Sequence, residues 1–137
     1  MSNAPQHAQE ISIELRWSDQ DLMGILNNAK LMTLVEEARV RSLDALLAQI
    51  DWSGSVDAVL RKVETDFLRP VHYKDAVKVL VWVSKIGNTS YTVQHELIQD
   101  GQVCMAVEAV VVLFDAENQA PQPIPNEVRA VLETVAV

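Results

Sequence analysis

Residues 10–17, EISIELRW, place Ile11, Ile13, Leu15 and Trp17 on one side and Ser12, Glu14 and Arg16 on the other. A period of two marks a half-buried strand, because successive side chains leave a pleated backbone on opposite faces. From Asn28 to Ile50 the period changes to that of a helix. Leu31, Leu34, Val35, Ala38, Ala45 and Leu46 share one face, Met32, Leu43 and Ile50 widen it, and Lys30, Thr33, Glu37, Arg41 and Asp44 form a narrow polar arc. A helix apolar over so much of its girth is expected to be largely enclosed, with a sheet wrapped around it. Asn27 or Asn28 is the expected N-cap, its side chain accepting from an unpaired backbone N–H.

Asp51-Trp-Ser-Gly-Ser ends the helical pattern, and from about Val56 to Phe114 the chain reads as strands. Val63, Thr65 and Phe67 alternate with Glu64 and Asp66. Val77, Val79, Val81 and Val83 alternate with Lys78, Leu80, Trp82 and Ser84. Tyr91, Val93, His95 and Leu97 alternate with Thr92, Gln94 and Glu96. Val103, Met105, Val107, Ala109, Val111 and Leu113 share the face of the last strand. Asp100-Gly101 predicts a two-residue hairpin turn, which needs positive φ at both positions; Gly87-Asn88 predicts a second turn and Lys74-Asp75 a boundary. Pro121, Pro123 and Pro125 hold the next segment extended, and Asn126 is placed to cap a short helix over 126–134. One strand, a long buried helix and four strands joined by short turns predict an α+β fold with an antiparallel sheet around the helix.

The 137 residues fit a single domain over 1–137, with 1–9 read as a flexible tail. A formal net charge of -8 and the lack of any basic cluster argue against a nucleic-acid partner, which requires clustered Lys and Arg. The apolar run Val103–Phe114 contains Glu108 and falls short of the roughly 20 apolar residues of a membrane helix. Cys104 has no second cysteine to pair with, and MSNAPQHAQE has neither a basic start nor an apolar run, so cytoplasmic residence is expected. His7, His72 and His95 show no metal-ligand spacing, so no metal and no cofactor are expected; Cys104 reads as a buried inert thiol.

Candidate chemistry sits between the first strand and the helix, in Asp19-Gln-Asp21-Leu-Met-Gly24-Ile-Leu-Asn27-Asn28, followed by Glu36-Glu-Ala38-Arg39. This stretch resembles the signature of hotdog-fold acyl-CoA thioesterases of the 4-hydroxybenzoyl-CoA thioesterase type. Asp66-Phe-Leu-Arg69-Pro70-Val-His-Tyr73-Lys-Asp75 resembles that family's second recurring stretch, and Gly87-Asn-Thr-Ser90 its third. The likeness runs over residues 10 to 115 in order. It implies a five-stranded antiparallel sheet around one long helix, paired into homodimers with strands continuing across the interface, and in many members into homotetramers. It also implies an acyl-CoA substrate, with coenzyme A present only as part of that substrate. The catalytic carboxylate carries over to Asp21 and the backbone oxyanion donor to Asn28. In one branch the residue after the glycine is His; here it is Ile25.

The residues themselves suit thioester hydrolysis, which needs a group to attack or to activate water and a donor for the carbonyl oxygen as it becomes tetrahedral. A carboxylate and the unpaired N–H groups of a helix start supply these. Asp21 as nucleophile or as general base are both open. Gly24, Ile25, Asn27, Glu36, Ser90 and Arg69 are the expected substrate contacts, and Arg69, Lys74 and Lys85 could meet the coenzyme phosphates. Asp19 reads as structural, and Arg39, within the apolar arc, as a residue with a buried partner or a dimer contact. The alternative is a non-catalytic hotdog protein that binds acyl-thioesters or serves as a structural dimer. A hotdog dehydratase is disfavoured, because this sequence shows no Asp and His pair at the spacing of such enzymes.

Overall fold

In the computed structural model, which describes residues 2–137 apart from Ser53, Ser55 and Asp75, the first alternating segment forms β1 (Gln9–Glu14). Ser53 and Ser55 of the break after the helix, and Asp75 of the expected boundary and second motif, lie outside the described residues. After β1 come α1 (Asn28–Gln49), β2 (Ala58–Phe67), β3 (Ala76–Ile86), β4 (Ser90–Gln99), β5 (Gln102–Asp115), β6 (Ala120–Pro121) and α2 (Asn126–Glu133). The described strands pair antiparallel in the order β1-β3-β4-β5-β2, with the two-residue β6 beside β5. This is the hotdog architecture, with a sixth short strand added to the expected five. That strand arises because the proline-rich segment runs back along β5, where Phe114 faces Pro121 and the Gln122 N–H donates to the Leu113 carbonyl at 2.9 Å.

One sheet face packs on α1. Val77, Val79, Val81, Tyr91, Val93, His95, Leu97, Met105, Val107 and Leu113 meet Leu31, Leu34, Val35, Ala38 and Leu46 in a common core. Ser42, also on the buried side of α1, exchanges hydrogen bonds with the Gln9 side chain, which satisfies its hydroxyl. The Asp100-Gly101 turn has φ +54 and +74, as a two-residue hairpin requires. At the Gly87 turn the Gly87 N–H donates to the Ser90 carbonyl at 2.7 Å.

Four local expectations need correction. Trp17 does not continue β1: the Asp19 carboxylate accepts from the Arg16 backbone and guanidinium, closing a 3-10 turn over Trp17–Asp19 that leaves Trp17 73% exposed. α1 is not enclosed by its own chain, since Glu36, Val40, Ala45 and Ala48 are exposed alongside the expected polar arc. Alanine counts as apolar in a pattern yet suits a solvated helix face by propensity alone. The apolar face of β2 is not buried either; Val63 and Phe67 are exposed because β2 is an edge strand and α1 packs over the other end of the sheet. Asn126 is the first residue of α2 and not its cap; Pro125 holds the cap position, and its carbonyl accepts from the Arg129 N–H. α2 buries Val128, Val131 and Leu132, and Arg129 reaches back to the Gly87 carbonyl at 2.8 Å.

Candidate active site

Asp21 begins a tight loop that closes on itself. Its N–H donates to the Ile25 carbonyl at 2.8 Å, and its carbonyl accepts from Gly24 at 3.2 Å. The Oδ1 atom accepts from the Met23 N–H at 2.8 Å and the Ile25 N–H at 3.4 Å, whereas Oδ2 has no partner among the described residues. One carboxylate oxygen is thus fixed by the backbone, and the other is free to act. Gly24 makes the loop possible: its φ of +75 lies in the left-handed region that side chains disfavour.

Two neighbours fasten this loop to the body of the protein. Leu26, only 2% exposed, donates its N–H to the Val71 carbonyl at 2.8 Å, and the Tyr73 N–H donates to the Gly24 carbonyl at 3.3 Å, with Ile25 and His72 as the bridge pair between them. Behind the loop, buried Asp19 accepts the Asn27 N–H on its carbonyl at 3.3 Å. Burial pushes the Asp19 carboxyl up, but the Arg16 N–H and guanidinium outweigh it and hold the group below the usual carboxylate range. Asp19 is therefore structural, as its place in the sequence suggests.

α1 starts where this loop ends. Asn27 is the N-cap and accepts the Ala29 N–H on its side chain at 2.8 Å, and its carbonyl accepts from Leu31. The Asn28 and Lys30 N–H groups have no partner among the described residues. They lie at the positive end of the helix dipole, where an oxyanion is favoured. Asp21, Gly24, Ile25, Asn27 and Asn28 are thus gathered at one loop-to-helix junction, with exposed Leu22, Met23 and Tyr73 around it.

The other expected contacts are more dispersed. Glu36 is exposed eight residues along α1, about 12 Å from its start, and forms a loose 3.8 Å pair with half-buried Arg39. Burial lowers the pKa of Arg39, with Glu36 working against it. Arg69 follows β2, its N–H held by the Cys104 carbonyl at 3.1 Å. Ser90 opens β4, at the opposite end of that strand from Gln99, whose side chain holds His72; nine residues of strand span roughly 30 Å. Within one chain, Ser90 and Asp21 are apart. Ser90 instead lines a cleft of about 250 Å³ with Arg61, Lys62 and Lys85. Sequence reading missed Arg61 and Lys62, which become a cluster with Lys85 only through strand pairing. A groove of about 310 Å³ between α1 and β2 is lined by Glu36, Arg39, Val40, Val59, Leu60 and Tyr91, among others. Lys74 pairs with Asp100 at 2.6 Å. Cys104 is buried, and burial raises its thiol pKa, as suits an inert thiol. Among the described residues no cluster of three or more His, Cys, Asp or Glu could hold a metal, and no helix is long and apolar enough to cross a membrane.

Comparison with known proteins bears on the family and the fold. The thioesterase-like superfamily matches residues 15–132. A 1,4-dihydroxy-2-naphthoyl-CoA hydrolase of Nostoc punctiforme is 27% identical over 123 residues, 88% of this chain and 83% of that protein. One from Synechococcus elongatus is 21% identical over 126 residues, covering 89% and 93%. A predicted thioesterase from Bacillus stearothermophilus superposes with TM-score 0.83 at 27% identity, covering 95% of this chain and 97% of that one. A thioesterase from Thermus thermophilus, complexed with coenzyme A and Zn, gives TM-score 0.78 at 24% identity over 94% and 93%, and so attests the fold.

Proposed function

The chain belongs to the thioesterase-like superfamily and is a thioester hydrolase, and on that premise we propose that it cleaves an acyl-CoA through Asp21 and the Asn28 N–H. The observation that carries this reading is the junction itself, a carboxylate with one tethered oxygen and one without a partner among the described residues, beside a capped helix whose first N–H is likewise unpaired among them. The curated relatives, whose names specify a CoA thioester, support the choice of substrate class.

In the proposed reaction the thioester oxygen takes the Asn28 N–H, where the helix dipole favours the charge that builds as the carbonyl carbon becomes tetrahedral. Asp21 Oδ2 either attacks that carbon, expelling the coenzyme thiolate and leaving a mixed anhydride that water hydrolyses, or takes a proton from a water that attacks instead. Ile25 contributes backbone hydrogen bonds to this loop, a task that does not depend on the histidine found there in another branch.

A homodimer paired along β2 is part of the proposal. Exposed Val63, Phe67 and Leu60 on that edge, and Val40 on the facing helix, form the apolar surface it would cover. The positive cleft of Arg61, Lys62 and Lys85, in a chain of net charge -8, is a candidate for the coenzyme phosphates. We place the protein in the cytoplasm, in keeping with its single buried cysteine.

Turnover of a panel of aliphatic and aromatic acyl-CoAs by wild type and Asp21→Asn, followed by thiol release, tests the mechanism. The loss expected for a removed acid-base group is roughly 10²–10⁴-fold. Equal rates would overturn the role of Asp21, and tight acyl-CoA binding without turnover by wild type would turn the reading towards a binding protein.

A further inference from the structure

Gln99 is the last residue of β4, directly before the Asp100-Gly101 turn, and it is 7% exposed. Its amide faces away from the sheet ladder and meets one residue twice. Oε1 accepts the His72 N–H at 2.9 Å, and Nε2 donates to the His72 carbonyl at 2.8 Å. A side-chain amide here imitates the backbone of a neighbouring strand, holding a residue by both its donor and its acceptor.

The segment Leu68–Lys74 belongs to no strand, so few contacts decide where it sits. The Cys104 carbonyl accepts the Leu68 and Arg69 N–H groups at 2.9 and 3.1 Å, Val71 is fully buried, and Gln99 holds His72. The opposite side of the segment holds the catalytic loop, through Val71 to Leu26 and Tyr73 to Gly24. Ile25, flanked by those two residues, closes the turn on Asp21 from both its N–H and its carbonyl.

We propose that Gln99 is a positioning residue for thioester hydrolysis: its paired hydrogen bonds to His72 hold the 71–73 segment, which in turn fixes the loop that presents Asp21. The proposal rests on the assignment of Asp21 as the catalytic carboxylate. Gln99 touches no reacting atom; it sets the geometry of the loop from its far side. The distinctive expectation is a loss in kcat without a matching rise in KM, since the group that meets the substrate is still present but displaced.

The test compares kcat, KM and Tm for wild type, Gln99→Leu, Gln99→Glu, Asp21→Asn and Gln94→Leu on the best acyl-CoA of the panel. Gln94 is a control on the same strand: its amide also makes two hydrogen bonds, in its case to the Ser84 and Glu108 side chains within the sheet, away from the loop. Gln99→Leu is expected to lower kcat roughly 10- to 100-fold with KM little changed, while Gln94→Leu lowers Tm and leaves kcat near wild type. Gln99→Glu adds a readout that simple destabilisation would not produce. Ionised, it repels the His72 carbonyl; protonated, its carboxyl both donates to that carbonyl and accepts the His72 N–H, so its kcat relative to wild type should recover as pH falls. A Gln99→Leu enzyme with wild-type kcat overturns the proposal, as does a loss matched by Gln94→Leu or a Gln99→Glu variant with no pH-dependent recovery. If Asp21→Asn is as active as wild type, the catalytic assignment falls first and the role of Gln99 with it; an impaired Asp21→Asn beside a normal Gln99→Leu overturns the positioning role alone.

Discussion

His95 should make the protein lose stability between pH 7 and pH 5. The side chain lies on the inner face of β4, 1% exposed, with Val81 and Val107 opposite it on β3 and β5. Nδ1 donates to the Val107 carbonyl, and Nε2 is buried without a partner among the described residues. Burial, with Arg39 nearby, pushes its pKa down from 6.5 to about 4. Between those values the unfolded chain holds the proton and the folded protein does not. The stability is complete above the unfolded value and is lost as pH falls towards the folded one. At about 1.4 kcal/mol per pH unit once the unfolded group is charged, the loss between pH 7 and pH 5 is about 2 kcal/mol. Urea denaturation of wild type and His95→Leu at a series of pH values, at fixed protein concentration, isolates this contribution, because the two proteins differ only at this side chain. The stability difference between the two proteins should shift by about 2 kcal/mol across that range in favour of the leucine variant. A difference that stays constant with pH would refute the reasoning, and would mean that the folded interior accommodates imidazolium.

Three further outcomes follow from the site and the edge strand. Asn27→Ala removes the acceptor of the Ala29 N–H and should cost about 1 kcal/mol, together with a fall in kcat as the start of α1 frays; denaturation and turnover read the two effects. Gly24→Ala should cost about 1–2 kcal/mol by chemical denaturation, a purely conformational penalty since the added carbon meets nothing nearer than the Gln20 Oε1 at 3.9 Å. Val63→Lys puts a cation on the exposed apolar face of β2, and sedimentation should show a shift to monomer with loss of turnover; an unchanged dimer would exclude pairing along that edge.

Local constraint decides how much of this was legible in the chain. Asp100-Gly101 and the alternation of Val77 to Val83 could be read directly, because a tight turn and a half-buried strand each impose a residue type at each position. Trp17 misled because the Asp19 carboxylate, which accepts the Arg16 N–H three residues back, outbids the period of two. Val63 and Phe67 misled differently: apolarity reports that a surface is to be covered, without saying that the cover comes from the same chain. At the site, Asp21 and Asn27-Asn28 stood out because loop, cap and carboxylate fall within eight residues. Gln99 could not be seen in this way, since its partner His72 is 27 residues distant and the contact is to backbone, which leaves no mark on residue type. The pairing of Arg61 and Lys62 with Lys85 was hidden for the same reason, as it depends on the order of strands in the sheet.

β2 runs for ten residues along the margin of the sheet. Its outer N–H and C=O groups form a template for any strand of matching register, and Lys62 with Glu64 places charge beside it. In the homodimer proposed along this margin, stability depends on how much of the chain is in solution. Dilution would weaken it by mass action, and a co-expressed relative with a similar margin would exchange into it. Melting temperature should therefore rise with the logarithm of protein concentration, and a truncated β2 peptide should act as a poison of assembly before it acts on catalysis.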